Sequence, residues 1–250
     1  MINTPADVAQ LEKLQQENDR LRHENSRFAA WLSLLTHDFR NTLTTLQMLI
    51  TAHQEGTISD TQFFNLLPRV NADAGKDLKM IGDTTAYIRT QLDGFTPGPE
   101  RIELTPWLFD LRATLASRLA AKQLHFETIV PPNTFLMADP FLLRYIMIAV
   151  LDNAIKYSFE GGTITVEAEA GQTAAHIRVS DTGTGMDADQ VAQLFTLGSA
   201  RYNGTAGETG AGLGLKIADT FARQLGGRLT VSSQPGKGTA VAVWLPQNES

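Results

Sequence analysis

The chain contains no cysteine among its 250 residues. Disulfides, thiolate zinc sites and cysteine nucleophiles are therefore excluded, and the composition fits a reducing compartment. The chain also has no excess of basic residues, because its formal net charge is −6 at pH 7. A negative balance argues against nucleic acid and against an anionic membrane surface as partners.

Long hydrophobic runs are absent as well. No apolar stretch approaches the roughly 20 residues that a bilayer span requires. The first thirty residues are polar and contain no hydrophobic segment of the signal-peptide type. We therefore expect a soluble, cytoplasmic chain that makes no membrane contact of its own.

Leucine and phenylalanine recur at alternating steps of three and four residues between positions 6 and 54. This heptad predicts one long helix, with a coiled coil in residues 1–30. Asn18 and Asn25 fall at the a position, where a buried Asn weakens a coiled coil but fixes its register. From Leu43 onward the apolar face widens, which is typical of a helix in a four-helix bundle.

A second helix is predicted after the break at residues 55–57, with Ser59 as its cap. Its apolar residues continue to Leu92, and Pro68 predicts either a kink or a late helix start. Two antiparallel helices cannot bury both apolar faces alone. Residues 31–93 are therefore predicted to form a helical hairpin that dimerises into a four-helix bundle.

Residues 94–100 carry two prolines and two glycines and are predicted to be a linker. The remaining segment, 101–250, mixes helical and strand patterns, which indicates an α+β sandwich. Asp139 and Pro140 form a strong helix start. The predicted strands lie at 101–104, 124–130, 163–170, 175–180, 228–232 and 239–245, and the predicted helices at 106–121, 140–158, 187–194 and 213–225.

Two motifs carry candidate chemistry in the first part of this segment. Asn153 and Lys156 share a helix face, where an Asn carbonyl can ligate Mg²⁺. Asp181 follows a strand, and its carboxylate can accept a hydrogen bond from the amino group of adenine. Gly183 and Gly185 let the backbone approach a ring closely. Taken singly, the first motif is more often a solvated pair and the second an Asp-Gly turn.

Two further motifs are rich in glycine. Residues 210–215 open a helix, where backbone N–H groups and the helix dipole favour phosphate. The spacing is neither that of a dinucleotide-binding turn nor that of a P-loop. Residues 236–239, Gly-Lys-Gly-Thr, separate the last two strands and could be only a hairpin turn.

In this order the four motifs resemble the N, G1, G2 and terminal G-x-G-T motifs of the histidine kinase, gyrase and chaperone ATPase superfamily. The resemblance implies a Bergerat-type ATPase domain at 101–250 that uses ATP and Mg²⁺, with Asn153 as metal ligand and Asp181 as adenine reader. Residues 196–209 would be the ATP lid, and Arg201 could reach the γ-phosphate or simply be solvated. The resemblance places the following residues around the nucleotide: Lys156, Tyr157, Gly183, Gly185, Met186, Gly210, Gly212, Leu213, Gly214 and Thr239.

Residues 36–43 of the first helix, Thr-His-Asp-Phe-Arg-Asn-Thr-Leu, resemble the phospho-acceptor box of histidine kinases. In the heptad His37 takes the solvent-facing f position. Asp38 can orient its imidazole and take up its proton, so that the other nitrogen attacks the γ-phosphorus. Asn41 lies one turn further on the same face, and the resemblance implies that it supports a phosphatase reaction.

His23 is a competing acceptor, since it also occupies an f position and precedes an acid, but it lacks the rest of the box. Two positions depart from the family pattern. Thr42 replaces a proline that usually kinks the helix below the histidine. Ala149 replaces a frequent second Asn, which predicts weaker Mg²⁺ coordination or a lower rate.

Taken together, the motifs predict a sensor histidine kinase core that phosphorylates His37 and passes the phosphoryl group to an aspartate of a response regulator receiver domain. Its sensory input would lie on another molecule or on a removed segment. Two alternatives stay open: a dimeric phosphotransfer adaptor or phosphatase scaffold with little or no kinase activity, and a serine kinase or ATPase of the same superfamily. Phosphorylation within or between subunits is equally open.

Overall fold

The structure is a computed structural model that describes residues 5–91, 94–171, 173–196, 202–208 and 212–247. It divides into two compact units, Met1–Thr85 and Ala86–Ser250. The last six residues of the second helix, 86–91, group with the second unit. Over the described ranges, no helix combines the length and the apolar character that crossing a bilayer would need.

The first unit is built from two long helices, α1 (Pro5–Gln54) and α2, which spans Asp60–Gln91 and so extends into the second unit. The single long N-terminal helix is confirmed. Of the two alternatives for Pro68, a kink or a late start, the late start is excluded, because α2 begins at Asp60 and continues through Pro68. Its start is well capped, since Ser59 and Gln62 exchange hydrogen bonds of 2.9 and 3.3 Å through backbone N–H groups.

Much of the apolar surface of the first unit faces outward. Leu49, Val70 and Met80 are buried, but Phe64 and Leu78 expose 65% and 68% of their surface. Apolar side chains on this scale are what a helical hairpin leaves uncovered when it is taken alone. The dimeric four-helix bundle stays a prediction.

The strands of the second unit are β1 Glu100–Glu103, β2 His125–Ile129, β3 Phe135–Ala138, β4 Thr163–Ala170, β5 Ala174–Asp181, β6 Arg228–Gln234 and β7 Gly238–Pro246. Five of them form a sheet in the order β2-β4-β5-β7-β6, in which β2 and β4 are parallel and all other neighbours antiparallel. A separate antiparallel pair joins β1 and β3. The helices are α3 Leu104–Ala121, α4 Pro140–Tyr157, α5 Ala188–Gln193 and α6 Gly214–Gln224.

The core of this unit lies between one face of the sheet and the helices. Alternate residues of β4, such as Ile164 and Val166, are fully buried, which is the period of a half-buried strand. Helix α4 starts as predicted, because the Asp139 side chain accepts hydrogen bonds from the N–H groups of Phe141 and Leu142 at 2.9 and 3.0 Å. The expected α+β sandwich is confirmed for this unit.

Two details differ from the sequence prediction. Strand β3 was not predicted, because a four-residue apolar run after a turn is too short to show a period. It pairs with β1 so that Ile102 faces Leu136. Leu104, predicted to end a strand, is instead the first residue of α3, although its N–H still bonds to the carbonyl of Thr134 at 2.9 Å.

Candidate functional site

Asp181 ends β5 and lies at the centre of a polar cluster in the second unit. Its Oδ1 accepts hydrogen bonds from the backbone N–H of Gly183 at 2.9 Å and of Thr239 at 3.2 Å. Burial raises the pKa of the Asp181 carboxyl, and these two backbone bonds offset only part of that rise. The second motif and the fourth motif therefore meet at one carboxylate.

The loop after Asp181 is fixed by backbone bonds on both sides. The N–H of Thr184 donates to the carbonyl of Tyr157 at 3.1 Å, and the N–H of Gly236 donates to the carbonyl of Thr184 at 2.7 Å. A Cβ at Gly183 would overlap the Tyr157 carbonyl, and one at Gly185 would overlap the Gln234 carbonyl. Both glycines are thus required by close packing of the protein backbone itself.

Ser233 ties the same loop to the β6–β7 hairpin. Its hydroxyl accepts from the N–H of Met186 at 2.8 Å and lies 2.9 Å from the hydroxyl of Thr239. It also donates to the carbonyl of Gly238 at 3.0 Å. Ser233 was not predicted as a site residue, because a serine in a strand carries no signal of its own.

The end of α4 brings Asn153 close to the start of α6. The Nδ2 group of Asn153 donates to the carbonyl of Ala149 at 3.1 Å. A Cβ at Gly214 would lie 3.6 Å from the Cβ of Ala149, which is an ordinary contact distance. The first motif and the glycine-rich helix start are therefore neighbours through Ala149, whose carbonyl bonds Asn153 and whose methyl group faces Gly214.

Lys156 and Tyr157 also lie together at the end of α4. The Nζ of Lys156 and the hydroxyl of Tyr157 both donate to the carbonyl of Tyr202, at 3.0 and 3.2 Å. Burial, together with the negative charge of Glu208, raises the pKa of the Tyr157 phenol. Tyr157 is therefore a neutral hydrogen-bond donor at physiological pH.

The third motif is described only at its end. Gly212 has a φ of +71°, which favours glycine. Leu213 is buried and precedes α6, whose first residue is Gly214. The N-terminal turn of this helix presents backbone N–H groups, the arrangement that favours an anion. The predicted residues Arg201 and Gly210 lie outside the described residues.

His37 is exposed on α1, as its heptad position predicted. The Nδ2 group of Asn41 lies 3.3 Å from Nδ1 and 3.5 Å from Nε2 of the imidazole. The two residues are thus side by side on one helix face, one turn apart. The side chains of Asp38 and of the competing His23 lie outside the described residues.

Comparison with sequence families assigns residues 138–249 to the histidine kinase-, DNA gyrase B-, and HSP90-like ATPases. Curated relatives match nearly the whole chain. The adaptive-response sensory kinase SasA of Synechococcus elongatus is 28% identical over 94% of this chain and 63% of its own length. The histidine protein kinase DivJ of Caulobacter vibrioides is 27% identical over 87% of this chain and 37% of its own length. The chain therefore spans less than two thirds of these relatives.

Solved structures share the fold. Histidine kinase ThkA, in its complex with the response regulator protein TrrA, aligns with a TM-score of 0.72 and 15% identity over 96% of this chain and 67% of that one. Acinetobacter baumannii histidine kinase AdeS aligns with a TM-score of 0.67 and 18% identity over 85% of this chain and 98% of that one. Residues 138–249 thus match the model of the histidine kinase-, DNA gyrase B-, and HSP90-like ATPases, and over most of its length the chain is similar to sensory and histidine protein kinases.

Proposed function

We propose that this chain is a protein-histidine kinase that transfers the γ-phosphoryl group of ATP to His37. The observation that carries the proposal is the presence, in one chain, of an exposed histidine in a segment that resembles an acceptor box and of ATPase-type motifs, two of which meet at the Asp181 carboxylate. Relatives that are sensory kinases over almost the same span support it.

Adenine recognition is assigned to Asp181. Both of its backbone hydrogen bonds use Oδ1, which leaves Oδ2 to accept from the exocyclic amino group of the base. Guanine carries a carbonyl oxygen at that position and cannot donate. The neighbouring Gly183, Gly185, Met186 and Thr239 hold this carboxylate and its loop in place. The homologous fold of ShkA, solved in complex with AMPPNP, is consistent with an adenine nucleotide.

The phosphate side is assigned to the ends of α4 and α6. Lys156 supplies a positive charge, and the N-terminus of α6, with Gly210, Gly212, Leu213 and Gly214, supplies N–H donors for the phosphate oxygens. Arg201 is proposed to reach the γ-phosphate. Asn153 fits a Mg²⁺ site, because its Nδ2 is occupied by the Ala149 carbonyl and its Oδ1 is therefore the atom available to a hard cation. Bound Mg²⁺ would neutralise charge on the phosphates.

The acceptor side is assigned to α1. The lone pair of one His37 nitrogen attacks the γ-phosphorus, the bond from that phosphorus to the β,γ-bridging oxygen breaks, and ADP leaves with the electron pair. Asp38 takes the proton from the imidazole. The phosphoryl group then passes to an aspartate of a receiver domain. In a separate phosphatase reaction Asn41 would hold a water that attacks the phosphorus of this phospho-aspartate, which releases inorganic phosphate and the free carboxylate. We propose that the hairpin acts as a homodimer.

The test uses the purified chain with Mg²⁺ and γ-labelled ATP, beside His37→Ala and, as a matched control, His23→Ala. We expect acid-labile, alkali-stable label on the wild type and on His23→Ala. In His37→Ala we expect a loss of labelling of at least about 100-fold, because the nucleophile itself is removed.

The other outcomes separate the alternatives. Label that persists in His37→Ala and disappears in His23→Ala moves the acceptor to His23. Acid-stable label on a serine of a partner favours a serine kinase. Tight binding of an ATP analogue without any label favours the adaptor or phosphatase scaffold.

A further inference from the structure

Lys122 follows α3 and is 9% exposed, although no motif assigns it a role. Its Nζ donates to the carbonyls of Ile155 and Lys156 at 2.9 and 2.8 Å and lies 3.4 Å from that of Ser158. These carbonyls lie at the end of α4, where the helix itself supplies no further N–H donors. A cation there caps the helix and opposes the negative end of its dipole.

The same ammonium group binds a loop that lies 80 residues further along the chain. It donates to the hydroxyl of Thr205 at 2.8 Å and forms an ion pair with Glu208 at 2.6 Å. The Thr205 N–H donates to the carbonyl of Lys156 at 3.1 Å, and its hydroxyl donates to that of Ser158. We call residues 202–208 the anchored loop.

The anchored loop is also bonded to itself. The N–H of Gly204 donates to the carbonyl of Glu208 at 2.7 Å, and the N–H of Ala206 donates to the Glu208 carboxylate at 2.9 Å. Burial alone would raise the pKa of Glu208, but the bonds from Lys122 and from backbone amides lower it overall. At neutral pH the carboxylate is therefore charged and bound on both oxygens.

This geometry has a consequence for the proposed site. The first residue of the anchored loop, Tyr202, presents the carbonyl to which Lys156 Nζ and Tyr157 hydroxyl donate. The position of that carbonyl depends on how the anchored loop is fixed. The ion pair between Lys122 and Glu208 fixes this loop at the end opposite to Tyr202.

We propose that Lys122 and Glu208 are positioning residues: their ion pair fixes the anchored loop to the end of α4 and thereby sets the Lys156 and Tyr157 side chains for the triphosphate of the nucleotide. The inference rests on the proposed function for its nucleotide effect. The fixing of the loop is independent of it.

The test uses Glu208→Gln in the full chain. Substitution of Lys122 would also remove the donor to the α4 carbonyls. Substitution of Glu208 removes the carboxylate of the ion pair and keeps the Lys122 ammonium group. Glu160→Gln is the matched control, because Glu160 is an exposed carboxylate that accepts a 2.7 Å hydrogen bond from Gln123 nearby. Glu208→Asp retains the charge on a shorter side chain and serves as the conservative variant.

Two measurements are made. Hydrogen exchange without nucleotide should show the amides of 204–206 exchanging about tenfold faster in Glu208→Gln, and unchanged in Glu160→Gln. Calorimetry with a non-hydrolysable ATP analogue and Mg²⁺ should show affinity falling about five- to tenfold, the order expected for the loss of one hydrogen bond. Adenosine, which lacks phosphates, should bind wild type and Glu208→Gln with equal affinity. Glu208→Asp should recover part of the affinity for the ATP analogue that Glu208→Gln loses.

Unchanged exchange at 204–206 overturns the proposal. So does faster exchange with unaltered affinity for the analogue, because the loop would then be fixed without positioning anything. If the wild type binds no nucleotide, the proposed function fails, and the exchange measurement alone decides whether Glu208 fixes the loop.

Discussion

The two units of this chain bury their apolar residues very differently. In the second unit, residues such as Leu143, Ile146 and Phe221 are completely buried between helices and sheet. In the first, Met48 and Leu78 expose 67% and 68% of their surface, although they lie in long, well-formed helices. A sheet covered by helices closes a core within one chain, whereas a two-helix hairpin needs further helices to do so.

This difference separates two kinds of stability. The second unit should derive most of its free energy of unfolding from its own core. The first should derive it largely from association with another copy, so that its stability depends on protein concentration. Substitutions in either unit test this difference.

The largest effect is expected from the core of the second unit. Phe221 is 0% exposed and packs its ring 4.9 Å from that of Tyr145. Phe221→Ala should lower the free energy of unfolding by about 3–5 kcal/mol, measured by urea denaturation with tryptophan fluorescence. The control Phe109→Ala, at a ring that is 70% exposed, should stay within about 0.5 kcal/mol of wild type. Equal losses for both variants would contradict the buried core.

A charge on the exposed face of the first unit should break association rather than folding. Leu78→Glu places a carboxylate where the dimer would bury an apolar side chain, and should weaken self-association by about 100-fold or more. Sedimentation velocity measures the change. Asn65→Glu, roughly on the opposite face of α2, should leave the association intact. A dimer that survives Leu78→Glu would place the interface elsewhere.

A smaller effect should appear when the same substitution is made in each unit. A Cβ would meet nothing within 4 Å at Gly82 or at Gly161. Gly82 lies inside α2, so Gly82→Ala should raise helix stability by about 0.5–1 kcal/mol. Gly161 has a φ of +74°, so Gly161→Ala should destabilise by about 1–2 kcal/mol. Thermal unfolding measures both. A loss at Gly82 would indicate that a partner helix packs against it.

The smallest effect is a pH dependence at Asp181. Burial raises its folded pKa, so its stabilising contribution is complete below the ordinary value of 3.8 and is lost as pH rises through the raised value. Asn does not titrate. The free energy of unfolding of Asp181→Asn, minus that of wild type, should therefore increase between about pH 4 and about pH 7. Denaturation at several pH values measures this difference, and a constant difference would contradict the raised pKa.

Much of the second unit was predictable because its signals are local. Asp139 and Pro140 predicted the start of α4. The four motifs carried a family resemblance that implied Asp181 and Thr239 around one nucleotide, and the structure joins these two residues by a hydrogen bond. The site roles of these residues stay predictions.

The missed residues have partners that are remote in sequence. Lys122 reads as an ordinary solvated lysine at a helix end, but its partners are the α4 carbonyls and Glu208. Ser233 likewise gives no signal in the sequence, because its hydroxyl bonds the N–H of Met186 in the loop that follows β5. Neither residue belongs to a period or a motif, so only the folded chain reveals what it contacts.

The unbroken course of α1 from Pro5 to Gln54 has a geometric consequence. Its 50 residues make a shaft about 75 Å long, and each residue advances the azimuth by about 100°. One residue inserted upstream of His37 would turn the imidazole by about 100° relative to residues 5–30, while seven inserted residues would return it to within about 20° of its original direction. The direction in which His37 faces, relative to a point further upstream on α1, therefore depends on the number of residues between them. Inserts of seven residues nearly preserve this direction, and inserts of other lengths up to seven change it.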